Sequence, residues 1–366
     1  MQRVALSGSR VESWTVLGED DVPVAPLEGY LSYLSAIERS PNTVKAYAHD
    51  LKDYFEFLGR QGVDWREVRL EDVGGFVAWL RLPAAGRAGQ VAVLPSIEAQ
   101  VGAATINRKL SAVSSFYQYQ ARHGVELGDL LVTWSAPGGR TAFKPFLHHI
   151  SKTGPQQRRA ISLKSPRRMA RVLTVSEVQT ILDACTRLRD RLLIAVLFET
   201  GMRIGEALGL RHNDFAAAER EVRITARIND NGARVKAGRS RVVPVGDAVL
   251  RLYADYLHAE YGDLDSDHVF VNLWRDPVGH AWSYPAVYDL VLRLRRRTGI
   301  DFDPHWFRHT AATRMLRDRV PLEVVSTLLG HASVTTTADI YGHLTVEDAR
   351  VVLEQAGWFD GAGVEL

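Results

Sequence analysis

The stretch PHWFRHTAATRML, residues 304–316, sets His305, Arg308 and His309 within five positions, after a proline and ahead of an apolar helical pattern. Three uses compete for such a cluster: a metal site, an anion site, or a solvated helix end. His305 and His309 are four apart and share a helix face. A zinc-protease helix needs a glutamate directly after its first histidine, and that position is Trp306. Arg308 lies between the histidines, where its charge opposes a bound cation. Cys185 is the only cysteine, so neither a Cys-based zinc site nor an internal disulfide can form. The anion reading has a mechanism. Helix N-termini attract phosphate through free N–H groups and the dipole. A guanidinium grips two phosphate oxygens at once, and a histidine can donate a hydrogen bond or move a proton.

An anion site that does chemistry needs a second charge, an acid and a nucleophile. The sequence offers one of each further along. In TGMRIGEALGL, residues 200–210, an apolar helix breaks at Gly201 and Arg203 follows at once. An arginine so near a core is costly unless it holds an anion or a salt bridge, and Glu206 three residues on can supply the bridge. In RVKAGRSRVVPV, residues 234–245, Lys236 precedes a glycine-containing turn and a strand. In LLGHASVTTTADIYGHL, residues 328–344, His331 follows the helix-ending Gly330, and a short helix capped by Ser333 delivers Tyr341. Taken singly, the lysine reads as a surface residue and the tyrosine as core packing.

The chain's 366 residues suggest two domains, and 46% hydrophobic residues can fill sizeable cores. Residues 1–25 carry no clear pattern. Residues 26–125 read as a small all-α domain. Ser40 caps a helix that begins at Pro41, and Val44, Tyr47, Leu51, Tyr54, Phe55 and Leu58 make one apolar face of it. A fourth helix takes Thr105 as its cap and buries Ile106, Leu110, Val113, Phe116 and Tyr117. Residues 126–173 read as a basic linker. Arg140, Lys144, Lys152, Arg158, Arg159, Lys164, Arg167, Arg168 and Arg171 fall there, with no acid between 130 and 176. In a chain of net charge +2 this local excess suits a strap along a polyanion, with a solvated linker as the alternative. Arg293, Arg295, Arg296 and Arg297 add a second basic run. Residues 174–366 open on a Thr174/Glu177 capping box. Three short strand patterns follow, at 221–225, 241–245 and 268–273, and the remainder is helical. The expected class is therefore mostly α with a small β insert. No P-loop or dinucleotide motif is present. The N-terminal MQRVALSGSRVESW has no apolar run of the signal-peptide kind, and LLIAVLF at 192–198 is too short to cross a bilayer. These points lead to an expectation of a cytoplasmic protein with no membrane partner.

The ordered boxes resemble the tyrosine recombinases, also called phage-type integrases. Their signature runs Arg, Lys, His-x-x-Arg, His or Trp, then Tyr, within the C-terminal domain. Arg203, Lys236, His305, Arg308, His331 and Tyr341 fill it in order. The resemblance is close over 174–345 and looser over 26–125, where SPNTVKAYAHDLKDYFEFL is similar to the family's helical core-binding domain. It implies a C-terminal catalytic domain and a site-specific recombinase of integrase or transposase type. Tyr341 would be the nucleophile, forming a 3′-phosphotyrosine, with Arg203 and Arg308 on the phosphate. Lys236 would protonate the leaving oxygen, His331 would hydrogen-bond a non-bridging oxygen, and His305 would act as acid or base. Glu206 would support Arg203, and His309 would be structural. No metal and no cofactor would be needed. The implied partner is double-stranded DNA in the nucleoid, bound as a homo-tetramer that is monomeric or dimeric when free, with accessory recombination proteins possible in principle. Lys144, Lys152, Arg158, Arg159, Lys164, Arg167 and Arg168 would touch its backbone. The tail TVEDARVVLEQAGWF, residues 345–359, would form a helix docking on its own or a neighbouring subunit. A type IB topoisomerase, a catalytically silent DNA-binding protein and a zinc hydrolase on His305 and His309 are the competing functions.

Overall fold

The computed structural model describes residues 1–5, 12–18, 20–83, 101–127, 131–135, 156–164, 171–235 and 240–330. The chain divides into two compact units, Met1–Arg167 and Arg168–Leu366.

Among the described residues the first unit is a four-helix core with two antiparallel strand pairs. Strands β1 (Gln2–Ala5) and β2 (Glu12–Thr15) pair antiparallel, Gln2 opposite Thr15. Hydroxyl contacts seat this hairpin: Ser35 donates to Ser13 Oγ at 3.1 Å, and Thr15 donates to the Glu28 carboxylate. Helices α1 (Ala25–Ala36), α2 (Pro41–Gln61), α3 (Leu70–Arg81) and α4 (Ala103–Ala121) follow. The Ser40 hydroxyl accepts from the Thr43 N–H at 3.2 Å, Pro41 holds the first helical position, and α2 ends at left-handed Gly62. Helix α4 differs from its sequence reading. Its cap is Gly102, not Thr105, because the Gly102 carbonyl takes the N–H groups of Thr105 and Ile106, and Ala103 and Ala104 extend the helix readily. Its expected apolar face is buried throughout. Tyr54 and Phe76 meet edge to face at 5.1 Å. The Tyr54 and Tyr117 hydroxyls bond at 3.0 Å, and Tyr117 donates to the Trp65 carbonyl at 2.9 Å. Asp50, fully buried on α2, holds Lys109 at 3.1 Å and also pairs with Arg108, tying α2 to α4.

Part of the stretch read as linker belongs to this unit. Strands β3 (Val132–Ser135) and β4 (Gln156–Arg159) pair antiparallel. Leu131 is buried in the core, and Ile161 and Leu163 pack against it. Asn107 on α4 receives the chain as a neighbouring strand would: its amide donates to the Leu163 carbonyl at 2.8 Å and accepts the Leu163 N–H at 2.9 Å. Those apolar residues, outnumbered locally by cations, decide the packing.

In the second unit, α5 (Val175–Asp183) starts at the expected capping box, with the Glu177 N–H on Thr174 Oγ1 at 3.1 Å. Helix α6 (Leu188–Thr200) is the central rod. Leu192, Leu193, Ile194, Val196 and Leu197 are all buried, and it stops at Gly201 with φ of 62°. A single turn, α7 (Ile204–Ala207), comes next. Strands β5 (Phe215–Ala216), β6 (Glu221–Ile224) and β7 (Arg241–Pro244) form one antiparallel sheet in that order, with Val222 opposite Val243. Helices α8 (Asp247–Tyr256), α9 (Tyr284–Thr298), α10 (Pro304–Arg317) and α11 (Leu322–Leu329) complete the described part. The expected strand at 268–273 does not form. Val269, Phe270 and Val271 are buried, but the stretch makes only isolated pairings, Arg211 with His268 and Val271 with Ala281. An apolar run marks burial there without a continuous partner edge. The architecture is mostly α with a small β insert. Among the described residues no helix is long and apolar enough to cross a membrane. The tail helix expected at 345–359 lies outside the described residues.

Candidate active site

Helix α10 begins as its sequence suggests. Asp303 caps it, its carboxylate accepting the His305 N–H at 2.8 Å, and Pro304 holds the first position. His305 is exposed. Its ring meets that of His309 edge to face, with centroids 4.5 Å apart. Burial first, then His305 and Arg308, push the His309 imidazole down to about 4, so it is neutral near pH 7. Among the described residues no group of three or more His, Cys, Asp or Glu is placed to hold a metal ion.

Arg308 points the other way, into the protein, and is 1% exposed. Its Nη1 donates to the Gly201 carbonyl at 3.0 Å and its Nη2 to the Leu329 carbonyl at 2.6 Å. Leu329 is the last residue of α11, where the helix dipole is negative and suits a cation. The approach depends on a small residue at 201. A Cβ there would meet Leu329 Cδ2 at 2.8 Å and Ala311 Cβ at 3.1 Å, and its positive φ already favours glycine.

Arg308 is thus bonded to the turn that carries Arg203, two residues beyond Gly201. Arg203 caps the α7 turn, with its N–H on Glu206 Oε2 at 2.8 Å and its Nη1 on Glu206 Oε1 at 3.0 Å. The salt bridge to Glu206 read from the spacing is therefore present. Glu206 is 2% exposed and has a further partner that the sequence reading missed. Arg241, at the start of β7, donates Nη1 to Oε1 at 3.1 Å and Nη2 to Oε2 at 2.6 Å. Burial opposes ionisation of Glu206. The bonds and charge of Arg241, followed by Arg203, outweigh it, and the carboxyl stays below its ordinary range. The signal for Arg241 was an arginine in an inward register of a short strand, but its partners lie 35 and 87 residues away.

A cavity of about 690 Å³ opens beside these groups, lined by Arg203, Arg234, Tyr284, Tyr288, Asp303 and His305 among others. Arg203 and His305, about a hundred residues apart in sequence, face one groove. Tyr284 closes its floor: a Cβ on Gly205 would fall 2.1 Å from the Tyr284 hydroxyl.

Lys236, His331 and Tyr341 lie outside the described residues. The chain leading to Lys236 is anchored: Asn231 donates to the Leu208 and Trp282 carbonyls at 3.1 and 2.9 Å, and Arg227 pairs with Asp214 through two bonds of 2.6 Å. On its far side Ser240 Oγ accepts the Ala226 N–H at 3.0 Å. Of the basic stretch, Arg159 and Lys164 are exposed, and Arg159 also donates to the Asn107 carbonyl. Arg158 sits opposite Thr133 in the β3–β4 pair. Lys144, Lys152, Arg167 and Arg168 lie outside the described residues. In the second basic run, Arg295 donates to the Phe302 carbonyl at 2.6 Å and Arg297 to the Ala184 carbonyl at 3.1 Å. These two help close the end of α9 within the unit.

Comparisons with known proteins agree with this arrangement. The profile of the phage integrase family matches residues 171–348, and that of the phage integrase N-terminal SAM-like domain matches residues 27–124. Transposase A from transposon Tn554 of Staphylococcus aureus is 36% identical over 352 residues, which cover 96% of each chain. Tyrosine recombinase XerD of Mycobacterium tuberculosis is 30% identical over 346 residues, covering 89% of this chain and 95% of the relative. Among solved structures, the Tn1549 transposon integrase in complex with circular intermediate DNA superposes with a TM-score of 0.61 at 16% identity, covering 90% of this chain and 98% of that one.

Proposed function

The chain belongs to the phage integrase family of DNA breaking-and-rejoining enzymes and is a site-specific recombinase; from that premise we propose how its residues divide the reaction. Tyr341 attacks a DNA phosphodiester. The Tyr341 Oη–phosphorus bond forms, the phosphorus–O5′ bond breaks, and a 3′-phosphotyrosine and a free 5′-hydroxyl result. A tyrosine with an ordinary pKa of about 10 needs stabilisation of the charge it brings to phosphorus. Arg203, which lines the groove, supplies it as a donor where charge builds on the non-bridging oxygens; Arg308, held by the Gly201 and Leu329 carbonyls, joins it on the phosphate by exchanging those bonds. Lys236 delivers the proton to the leaving 5′-oxygen. His331 hydrogen-bonds a non-bridging oxygen, and His305, at the groove, serves as the base that takes the Tyr341 hydroxyl proton in cleavage and as the acid that returns it on rejoining. His309, neutral and half-buried, shapes the start of α10. Rejoining is the reverse: a 5′-hydroxyl attacks the phosphotyrosine and releases Tyr341. The covalent link preserves the bond energy, so neither ATP nor a metal pair is needed.

The observation that carries this division is the convergence on one turn. Arg308 bonds the Gly201 carbonyl, while Arg203, two residues on, is fixed by Glu206 and shares a groove with His305. The likeness to a transposase along nearly the whole of both chains supports a mobile-element role. Double-stranded DNA is the proposed partner, a homo-tetramer the proposed assembled form, and Lys144, Lys152, Arg158, Arg159, Lys164, Arg167 and Arg168 the proposed backbone contacts. The test is a nicked duplex carrying the end sequence of the DNA element that encodes this chain, incubated with the full chain in EDTA. Wild type should form a covalent adduct and Tyr341→Phe none. An adduct with Tyr341→Phe would mean another nucleophile, and none with wild type despite tight binding would leave a binding protein.

A further inference from the structure

Arg241 does more than neutralise a buried acid. Its side chain is 8% exposed and three of its donors reach two different elements. The paired Nη1 and Nη2 take both oxygens of Glu206, and Nε donates to the Leu328 carbonyl at 2.7 Å. Each oxygen of Glu206 also accepts one bond from Arg203, through the main chain and the guanidinium. Arg308 holds the next carbonyl of α11, that of Leu329. Two successive carbonyls at one helix end are therefore gripped by arginines from β7 and α10. The Arg241 guanidinium also fills the space beside Gly330, where a Cβ would fall 2.8 Å from Nη1.

We propose that Arg241 is a positioning residue for strand cleavage: through Glu206 it fixes the Arg203 guanidinium, and through the Leu328 carbonyl it fixes the end of α11, two residues before His331. This rests on the division of roles given above. The planar fork matters because one rigid group must satisfy a carboxylate and a carbonyl together. Lysine keeps the charge but offers a single nitrogen, which cannot span the three acceptors. Arg203 then keeps a salt bridge but loses its fixed direction, and a shift of about 1 Å in such a group costs on the order of 10²-fold in rate. DNA affinity, set by many backbone contacts, changes little.

The test is single-turnover adduct formation on the same nicked duplex, for the full chain carrying Arg241→Lys, Glu206→Gln, or both. The urea-unfolding midpoint and DNA affinity are measured alongside. Arg241→Lys should cleave about 10- to 100-fold more slowly at saturating DNA, with Kd within about twofold of wild type. The double variant should be little slower than the slower single one, because both changes release the same arginine. Arg241→Ala, where it folds, should regain rate with added methylguanidinium. Wild-type rates in Arg241→Lys, multiplicative losses in the double variant, or a loss that only follows the folded fraction would each overturn the proposal. Wild type failing to form any adduct would instead overturn the reading it rests on, and the role of Arg241 with it.

Discussion

Asp50 in the first unit and Glu206 in the second are both carboxylates withdrawn from water, each beside two cations, yet their acidities move in opposite directions. For Asp50 burial dominates over Lys109 and Arg108, and its pKa is raised. For Glu206 burial is again the largest single influence, but the Arg241 fork and the Arg203 main-chain N–H together exceed it, and its pKa is lowered. Number of cations does not explain this. Asp50 meets a half-exposed Arg108 and a lysine shared with Asp53, whereas Glu206 meets a planar guanidinium that matches both its oxygens. One acid ties two helices together. The other is a fixed negative anchor from which Arg203 is aimed for the role proposed above.

The contrast breaks most easily at Asp50. Asp50→Ala leaves Lys109 with Asp53 alone, so the loss falls short of the roughly 3–5 kcal/mol of a fully orphaned buried charge but remains a large fraction of it. Urea unfolding should register that loss, while adduct formation per folded molecule stays near wild type. Arg203→Ala should do the opposite. Removing one preorganised donor to developing charge costs about 10²–10³-fold in rate, about 2.7–4 kcal/mol of barrier, and single-turnover cleavage should fall by that amount with a smaller change in the unfolding midpoint. If the two variants exchange these behaviours, the assignment of the Asp50 cluster to stability and of the Glu206–Arg203 pair to chemistry is wrong.

A subtler measurement sharpens the comparison without altering the chain. Carboxyl-carbon NMR during acidification should show Asp50 taking its proton first, above the ordinary aspartate value of 3.8, and Glu206 keeping its charge below the ordinary 4.5. The signs for stability are opposite. The folded state binds a proton at Asp50 more readily than the unfolded chain does, so that contribution improves as pH falls through its raised value. Glu206 contributes fully above the unfolded value and loses its contribution as pH falls through its own lowered one. Protonation of Glu206 before Asp50 would erase the distinction.

Sequence reading found the parts of the site that are local in the chain. The His305–Arg308 spacing, the break at Gly201 and the Arg203–Glu206 pair three residues apart each lie within one turn. The Ser40 and Thr174 caps were visible for the same reason. Arg241 is not visible, because nothing nearby in sequence announces Glu206 or Leu328 as its partners. The β1–β2 hairpin is not legible because QRVA and ESWT show no alternation of apolar and polar residues, and Ser13 and Thr15 seat it on Ser35 and the Glu28 carboxylate of α1. Charge hid the packing of 156–164, where Ile161, Leu163 and one asparagine outweigh the surrounding cations. At 268–273 apolar character was read as a strand, but burial and strand pairing are separate properties, and only the first is written in hydrophobicity.

The close fit around Gly201 and Gly330 also constrains how this chain can vary over time. A side chain at 330 would strike the Arg241 guanidinium, and one at 201 would strike Leu329 and Ala311. Change at either glycine therefore requires a matching change at a position far away in the gene. A library that varies either glycine alone should lose folded protein, and one that varies it together with its distant neighbours should recover some.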